Sequence, residues 1–574
     1  MQPGQLTGPA AVAKPGRAGS RLAQVSAQLI ALAPLACAAL YLLWIIAHFP
    51  RIIYDVHLDA DASWAPALAG VSATGPGGGH ILVGTASHFT TIWFLVLTRW
   101  VPFRNQLWDV APFLMFLAGL GFVAWACRRI AGWWPALLTV AVGASGTAFV
   151  LLTVMSEGVH GATYFADSVL AAFLVFWATR SRHHPWPARI AVAAVIVLAG
   201  TTLASDTLFA ASGLAPFLGA PLARWLLSRD HESLRMAQVT TGITAASAVL
   251  AVGVNRGMQA LGFQKTFASS GYALASRRTA IANVGVFGRQ LLGLGNGTFS
   301  HPPNPAVGAV HFVMALFLVG AVVVLFALLL HSARTKRPWS GETEAAPFLY
   351  LAYWTSSAVT VFAAFSLTAF AQGPSNLSRY VQPAFFALAA TAPLWAARLG
   401  WRRTVVALGA ALFCGLSVTG RQGLFIYEPL LRQTPQARHQ RSEAIDFLKR
   451  HGVTNGYSGY WDSHPLTVQA DMQVHFYPVI TCRMPASSRL CPFFVNTRTN
   501  WYLPRPQTRT FLLFDASNPA GIASRPTPDL GPAAVTGRFG PLYVFIYDYD
   551  IASKLARPCP SRAENQFFCP SSPT

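Results

Sequence analysis

The chain has 574 residues, of which 53% are hydrophobic and only 11% are charged. A soluble globular domain carries about 25% charged residues, so this composition predicts a membrane protein with several spans. The formal net charge of +21 does not indicate nucleic-acid binding, because the basic residues are spread between apolar runs and are not gathered on one domain. In membrane proteins, such charges typically mark cytoplasmic loops.

Residues 1–27 are predicted to form a disordered cytoplasmic tail, because they begin with a stretch rich in Pro, Gly and Ala. The apolar run after Arg21 is longer than a usual signal core, which argues against a cleaved signal peptide. A transmembrane domain is predicted over 28–420. Its eleven spans are expected at 28–48, 110–127, 134–154, 164–179, 190–205, 208–226, 238–256, 308–330, 346–370, 381–397 and 404–420.

Basic groups fall at alternate connections between these spans, and the positive-inside rule places all of them in the cytoplasm. The stretch Ser87–Phe103 is interpreted as an interfacial helix on the outer face, because a crossing there would move Arg128 and Arg129 outside. The chain is thus predicted to be a multi-pass protein of the plasma or inner membrane. Its N-terminus is cytoplasmic, and residues 421–574 are extracytoplasmic.

Two outer loops carry acids. The first, 49–109, contains Asp55, Asp59 and Asp61 within seven residues, and the second, 156–163, contains Glu157 and His160. Carboxylates against a membrane face are costly unless they have a partner or a task. These residues therefore indicate where the chemistry of the protein is to be sought.

The third outer loop, 257–307, contains Arg277, Arg278 and Arg289 but no Asp or Glu. Basic residues on the outer side run against the usual trend, although long loops are partly exempt from it. Two interpretations stay open: a loop without a specific role, or a site that binds an anion.

Residues 421–574 change in character and are predicted to form a soluble α/β domain. A helix is expected over Ser442–Arg450, with Ser442 as its N-cap and Gly452 just past its end. Segments rich in aromatic and branched residues predict strands at Gln473–Thr481, Thr510–Asp515 and Leu542–Tyr547.

Four of the seven cysteines lie in this domain, which in an external compartment favours two disulfides. Local pairing, Cys482 with Cys491 and Cys559 with Cys569, is our expectation, with free thiols as the alternative. A structural zinc site is not predicted, because Cys-x-x-Cys spacing is missing from the sequence.

Further polar residues fall at span ends on the outer side: Asp206 after the fifth span, and Arg379 with Tyr380 at the start of the tenth. Acids and bases from separate helices thus converge on one side of the membrane. A carboxylate there can take a proton from an acceptor hydroxyl, and arginines can hold a phosphate leaving group. This arrangement suits an anionic, lipid-linked donor.

The sequence resembles the GT-C superfamily of membrane glycosyltransferases, which includes protein O-mannosyltransferases and the aminoarabinose transferases of lipid A. The resemblance covers roughly 28–420, in architecture more than in identity. It rests on the acidic first outer loop and on Ser378-Arg379-Tyr380-Val381-Gln382-Pro383, which is similar to the Arg-Tyr-x-x-Pro that opens a late span in such proteins. Many relatives have Asp-Glu in the first loop, where this chain has Asp59-Ala60-Asp61.

The resemblance implies a GT-C-like, polytopic α-helical fold with a C-terminal extracytoplasmic α/β domain. It implies transfer of a sugar from a polyprenyl-phosphate-linked donor to a glycan, lipid or protein acceptor, with a divalent metal as an option for an acid pair. Asp61, then Asp59, is the expected catalytic residue. Substrate binding is expected from Asp55, Glu157, His160, Asp206, Arg277, Arg278, Arg289, Arg379 and Tyr380.

Each of these residues has a structural alternative. The acids can be solvated loop residues or helix caps, Asp206 in particular, and Arg379 can reach for the interface. Asp167, inside a span, is expected to face the bundle near Arg or Tyr partners. Tyr460-Trp461 and Trp501-Tyr502 form either a sugar-stacking surface or domain core.

Two other functions stay open. An O-antigen ligase or polymerase also combines many spans with a basic outer loop, but normally lacks the early acids and the large terminal domain. A transporter or scaffold would be expected to show inverted repeats and charges at mid-bilayer, and we find no internal repeat.

Overall fold

The structure is a computed structural model of the chain. It describes residues 32–47, 63–64, 67–68, 81–83, 106–145, 161–180, 185–260, 262–265, 273–294, 309, 312, 342–368, 378–398, single positions between 406 and 414, 435–484, 487–494, 496–505, 507–517 and 528–555. These residues form a multi-helical membrane region and a mixed α/β region.

Ten helices make up the described part of the membrane region. They are α1 (Leu32–Ala47), α2 (Gln106–Ala131), α3 (Trp133–Ala144), α4 (Gly161–Arg180), α5 (Pro185–Ser205), α6 (Ala215–Ser228), α7 (His231–Ala260), α8 (Arg277–Leu294), α9 (Glu342–Leu367) and α10 (Ser378–Arg398). Five of the described helices, α2, α4, α5, α7 and α9, are long and apolar enough to cross a bilayer. The chain is therefore a multi-pass membrane protein.

These five helices confirm the spans predicted at 110–127, 164–179, 190–205, 238–256 and 346–370. The span predicted at 208–226 is helical throughout, with a π-helix, Ala210–Leu214, leading directly into α6. The span at 28–48 coincides with the short helix α1, and the span at 381–397 lies within α10. The spans at 308–330 and 404–420 lie almost entirely outside the described residues, as does the interfacial helix expected over Ser87–Phe103.

Close helix packing in the bundle depends on small residues. Helices in lipid gain little from the hydrophobic effect and associate by van der Waals packing where backbones can approach. Gly200 shows this between α5 and α7, because a Cβ there would lie 2.8 Å from Leu250 Cδ2. Helix α4 is the most buried of the five spanning helices, and its Tyr164 stacks on Phe386 of α10 with ring centroids 3.8 Å apart.

A three-stranded sheet joins three distant parts of the chain. Strand β1 (Ile81–Val83) pairs in parallel with β2 (Phe263–Lys265) and antiparallel with β6 (Thr497–Arg498). The three strands come from the first predicted outer loop, the third predicted outer loop and the C-terminal region. Strands that share backbone hydrogen bonds cannot lie on opposite sides of a bilayer, so these three segments meet on one side.

The C-terminal region is built on a six-stranded mixed sheet in the order β5-β4-β3-β7-β9-β8. Its strands are β3 (Asn455–Gly459), β4 (His475–Met484), β5 (Ser487–Pro492), β7 (Thr510–Asp515), β8 (Val535–Phe539) and β9 (Leu542–Tyr547). Strands β4, β3 and β7 are parallel, and helix α12 (Tyr460–Gln469) connects β3 to β4. Three short 3-10 helices lie at Thr499–Tyr502, Pro528–Leu530 and Ile551–Lys554.

Alternating residues of these strands supply two separate cores. In β7, Phe511 and Leu513 face α12 and α11 (Pro435–Arg450), whereas Leu512 and Phe514 belong to a second cluster on the other face. That second cluster, which we call the loop-facing core, also contains Trp64 and Leu68 from the first predicted outer loop. One face of the sheet is thus covered by residues that follow the acidic cluster in sequence.

The C-terminal predictions are mostly confirmed. The strands expected at Thr510–Asp515 and Leu542–Tyr547 have those bounds, and Gln473–Thr481 largely coincides with β4. Ser442 as N-cap is wrong, because the polar residues before it continue the helix back to Pro435, whose fixed φ suits a first turn. Gly452 does follow the helix end, with φ of 68°.

The cysteine predictions are only partly within the described residues. Cys482 and Cys491 lie on adjacent strands, and Cys491 is disulfide-bonded. The Cys482 side chain, Cys559 and Cys569 lie outside the description, so both pairings stay predictions. Cys127 and Cys414 are buried free thiols in the membrane region.

Candidate active site at the loop-facing end of the bundle

Asp206 lies at the end of the bundle where α5 gives way to the next helix. Its carboxylate is almost fully buried; Oδ1 accepts a hydrogen bond from the Leu208 backbone N–H at 2.9 Å, and Oδ2 accepts one from Thr163 Oγ1. The first contact is a helix cap, as the structural alternative expected. The second links the end of α5 to the first turn of α4.

Asp167 lies one helical turn below Thr163 and faces the bundle interior, where it is 1% exposed. Ser212 Oγ donates to its Oδ1 at 3.4 Å, and the Tyr353 hydroxyl of α9 donates to the same oxygen at 3.5 Å. The expectation of an inward-facing Asp167 with a tyrosine partner is thus confirmed. Two hydroxyls from different helices offset part of the cost of this carboxyl in the membrane.

The π-helix Ala210–Leu214 gives Ser212 its position. A π-helix inserts one extra residue into a helical turn, and such bulges are frequent at functional sites. The adjacent Gly213 leaves the room that Asp167 needs, since a Cβ at Gly213 would lie 2.6 Å from Asp167 Oδ1. Thr360 Oγ1 of α9 also donates to the Ala211 carbonyl and fixes the π-helix against α9.

Arg379 and Tyr380 open α10 at the same end of the bundle. The Arg379 guanidinium lies 5.0 Å from the centroid of the Tyr380 ring, and both side chains are half-buried. Phe386, which stacks on Tyr164, follows Arg379 by seven residues, or about 10 Å along the helix axis. Phe386 lies beside Phe116 of α2, and Ala390 lies beside Cys127 further along α2, so α10 runs in the same direction as α2 and Arg379 lies at the end of the bundle where α2 begins.

Arg277, Arg278 and Arg289 lie exposed on α8. This helix is attached to the end of α9, because Asn283 donates to the carbonyls of Ser366 and Thr368 at 3.1 and 2.9 Å. Among the described residues, the three arginines form no ion pair. Arg277 and Arg278 precede Asn283 along α8 and Arg289 follows it, and all three side chains are exposed.

The remaining predicted site residues, Asp55, Asp59, Asp61, Glu157 and His160, lie outside the described residues. Residues shortly after the aspartates are described: Ser63, Trp64, Ala67 and Leu68 are all buried. Within the described part of the chain, no group of three or more His, Cys, Asp or Glu residues could hold a metal ion. A metal between Asp59 and Asp61 thus stays untested.

The aromatic pairs of the C-terminal region are mainly core. Tyr460, Trp501 and Tyr502 are buried, and only Trp461, at 42% exposed, presents its ring to solvent. A sugar-stacking surface of four rings is therefore wrong, because three of the rings are buried, two of them (Trp501 and Tyr502) in a core of the sheet.

Polar groups near these rings are also buried. Asp462 in the first turn of α12 pairs with Arg441 of α11, 3.4 Å between Oδ1 and Nη2, and burial raises the pKa of Asp462 to about 6 although Arg441 opposes the shift. Burial lowers the pKa of His464 to about 3. Among the described residues, neither ring nitrogen of His464 has a hydrogen-bond partner.

Sequence reasoning missed Thr163, Ser212 and Tyr353 as partners of the buried acids. Each is a single hydroxyl in an apolar run, and such residues are common in membrane helices. The Ser212-Gly213 pair follows Asp206 closely, but a π-helix has no composition of its own by which this pair could have been interpreted.

Comparison with known proteins gives structural similarity without a sequence match. No family model matches the chain, and no curated protein matches it. The crystal structure of apo ArnT from Cupriavidus metallidurans has a TM-score of 0.49 and 13% identity, covering 91% of this chain and all of that one. The structure of the same protein bound to undecaprenyl phosphate has a TM-score of 0.48 and 13% identity over 90% of this chain and 99% of that one. The chain is thus similar in structure to ArnT over about nine tenths of its length.

Proposed function

We propose that this protein is a membrane glycosyltransferase that moves a sugar from a polyprenyl-phosphate-linked donor to an acceptor on the outer face of the membrane. The observation that carries the proposal is the sheet β1-β2-β6. It brings the segment after the acids, the segment before the basic helix α8 and the C-terminal region to one side. Arg379 opens α10 at the end of the bundle where α2 begins.

The reaction follows from these groups. Asp61, or Asp59 in its place, takes the proton of the acceptor hydroxyl as that oxygen attacks the anomeric carbon. The bond from the anomeric carbon to the phosphate oxygen breaks, and polyprenyl phosphate leaves with both bonding electrons. A positioned general base contributes typically 10²- to 10⁴-fold to such a step.

The basic residues hold the leaving phosphate. Arg379 in the first turn of α10 adds its charge to the positive end of the helix dipole, a combination that favours an anion. Arg277, Arg278 and Arg289 on α8 are exposed and supply further charge on that side. Charge-assisted hydrogen bonds to phosphate from arginine are about twice as strong as neutral ones. We place Asp55, Glu157, His160, Asp206 and Tyr380 around the sugar.

A transfer assay in detergent or liposomes tests the proposal, with a radiolabelled polyprenyl-phosphate sugar as donor and an envelope lipid, glycan or protein fraction as acceptor. We expect the double variant Asp59→Asn/Asp61→Asn to lose at least 100-fold in kcat. The matched control is Asp446→Asn, an exposed acid of α11, which should keep wild-type activity. Full activity in the double variant would remove the catalytic assignment.

The lipid-linked donors that the protein accepts distinguish the proposed glycosyltransferase from the alternative functions. Acceptance of only diphosphate-linked oligosaccharides would favour an O-antigen ligase or polymerase. Flux of the lipid-linked sugar across vesicles, with no covalent product, would favour a transporter.

Removal of divalent metal ions with a chelator tests whether Asp59 and Asp61 bind a metal. If Asp59 and Asp61 hold a divalent ion, EDTA abolishes transfer and added Mg²⁺ or Mn²⁺ restores it. If one of them acts alone as a base, EDTA leaves the rate unchanged.

A further inference from the structure

The buried carboxylate of Asp167 is surrounded by uncharged groups and by a second acid. Its hydrogen-bond donors are the hydroxyls of Ser212 and Tyr353, and within the part of the chain that the structure describes Asp167 forms no ion pair. The Asp206 carboxylate is close enough for its negative charge to act on Asp167 as well. A carboxylate removed from water is costly, and a like charge nearby adds repulsion. Asp167 therefore needs a positive charge that these side chains do not supply.

The two hydroxyls lie further from Asp167 than ordinary hydrogen-bond donors do. Their oxygens are 3.4 and 3.5 Å from Oδ1, whereas hydrogen bonds from hydroxyls usually measure about 2.7 Å. Oxygens that coordinate a cation of the size of Ca²⁺ at about 2.4 Å, and at right angles, are separated by about 3.4 Å. The spacing of these oxygens therefore fits ligands of one small cation better than it fits direct hydrogen bonds.

A third hydroxyl faces the same space without a hydrogen-bond partner. Ser357 Oγ of α9 is fully buried, and among the described residues nothing donates to it or accepts from it. One turn before it, Tyr353 reaches Asp167, and three residues after it, Thr360 donates to the Ala211 carbonyl of the π-helix. Side chains three and four residues apart share one helix face, so Ser357 also faces α4 and the π-helix. Its oxygen has lone pairs to offer to a cation.

The end of α5 repeats this pattern beside Asp206. The Asp206 N–H donates to the Thr202 carbonyl at 2.7 Å, so the two residues are one helical turn apart and share a face. Thr202 is 2% exposed, and its hydroxyl has no hydrogen-bond partner among the described residues. Buried polar atoms without partners are rare in folded proteins. Two of them around one pair of acids indicate that this space takes a polar ligand.

We propose that the Asp167 carboxylate and three surrounding hydroxyls bind one small monovalent cation, Na⁺. The hydroxyls are those of Ser212, Tyr353 and Ser357. Oxygen ligands of this kind are preferred by hard cations, and one carboxylate among neutral hydroxyls leaves a single negative charge for the ion to neutralise. A Cβ at Gly213 would lie 2.6 Å from Asp167 Oδ1, so the space beside this oxygen suits a small ion. The ion joins α4, α9 and the π-helix, and it has no part in the proposed transfer reaction.

Binding of radioactive Na⁺ to the full-length protein in detergent tests the site directly. We expect saturable binding of one ion per chain in the wild type and its loss in Asp167→Asn. Replacement of choline chloride by NaCl at constant ionic strength should raise the melting temperature of the wild type by about 3 °C, because a ligand of the folded state stabilises it. KCl should raise the melting temperature less than NaCl does.

A matched pair of variants separates coordination from ordinary packing. Ser357→Ala and Ser168→Ala each remove a fully buried serine hydroxyl, but Ser168 Oγ donates to the Tyr164 carbonyl of its own helix at 2.8 Å. We expect Ser357→Ala to weaken Na⁺ binding about 10-fold, as the loss of a supporting group at a metal site does. Tyr353→Phe, which keeps the ring and removes the hydroxyl, should weaken it similarly. Ser168→Ala should bind Na⁺ like the wild type.

Several results would overturn the cation site. These are wild-type protein without saturable Na⁺ binding, melting temperatures that depend on pH but not on sodium, and equal loss of affinity in Ser168→Ala and Ser357→Ala. If Asp167→Asn does not fold, Ser357→Ala and Tyr353→Phe decide the question, because each removes only one oxygen. No transfer assay is needed, so the outcome is independent of the proposed glycosyltransferase activity.

Discussion

Buried ionisable groups are held in different ways in the membrane bundle and in the C-terminal region. In the bundle, Asp167 and Asp206 receive hydrogen bonds from hydroxyls of neighbouring helices, with Ser212 and Thr163 as donors. In the C-terminal region, Asp462 pairs with a full positive charge on Arg441, while His464 is buried against the Tyr460 ring. Hydroxyls suit the bundle because they add no second charge that would itself need solvation.

This difference predicts that acid affects the two regions unequally. His464 has a folded pKa of about 3 against an ordinary value of 6.5. Below pH 6.5 the unfolded imidazole therefore binds a proton that the folded one does not, and stability falls as the pH drops towards 3. The full effect is roughly 5 kcal/mol, at 1.36 kcal/mol per pKa unit.

The variant His464→Leu isolates that effect. We expect its melting temperature in detergent to fall less between pH 6.5 and 4.5 than that of the wild type. His439→Leu, a histidine of α11 that is 72% exposed, should follow the wild type. The pH dependence of stability that Asp462 contributes has the opposite sign. Its pKa is raised to about 6, so its contribution to stability is lost as the pH rises from 3.8 to 6. The diagnostic quantity is therefore the difference between each variant and the wild type. Parallel curves for His464→Leu and wild type would contradict the assignment.

In the bundle, the close approach of the π-helix to Asp167 can be tested by adding a methyl group at Gly213. Gly213→Ala would place a methyl group 2.6 Å from Asp167 Oδ1 and 2.3 Å from Phe209 Cε2. We expect a loss of about 3 kcal/mol, at the upper end of the usual cost of overpacking a core, measured by thermal unfolding. Gly219→Ala on α6 has no atom within 4 Å of the new Cβ and should unfold like the wild type. Equal stability of the two variants would mean that the π-helix does not need a glycine to approach Asp167.

The sequence predicted the regular parts of both regions and missed the irregular ones. Leu542–Tyr547 was recognisable as a strand because its residues are aromatic or branched, and the span at 164–179 was recognisable by its length. The π-helix Ala210–Leu214 was not recognisable, since a change from i+4 to i+5 hydrogen bonding has no composition of its own. The pairing of β1 with β2 and β6 joins positions far apart in the sequence, and strands of two or three residues carry no periodicity.

The candidate site was also predictable only in part, because its contacts join residues that are distant in the sequence. That Asp167 faces the interior follows from the cost of a charge in lipid, but the identity of its partners depends on helix rotations that the sequence does not encode locally. Arg379 was recognisable from its place at the start of α10. The links from Trp64 and Leu68 to the sheet required the folded chain.

Substitution of Asp206 has the smallest expected effect on stability, and it distinguishes a structural role of this residue from a functional one. Its Oδ1 caps the Leu208 N–H, and asparagine retains an oxygen for that hydrogen bond while losing the charge. We expect Asp206→Ala to cost about 1 kcal/mol of stability and Asp206→Asn to cost less than half of that. Transfer kinetics of Asp206→Asn then report on the charge alone. With unchanged stability, a 10-fold rise in KM would assign Asp206 to the substrate, whereas wild-type kinetics would restrict it to holding α4 and α5 together through Thr163.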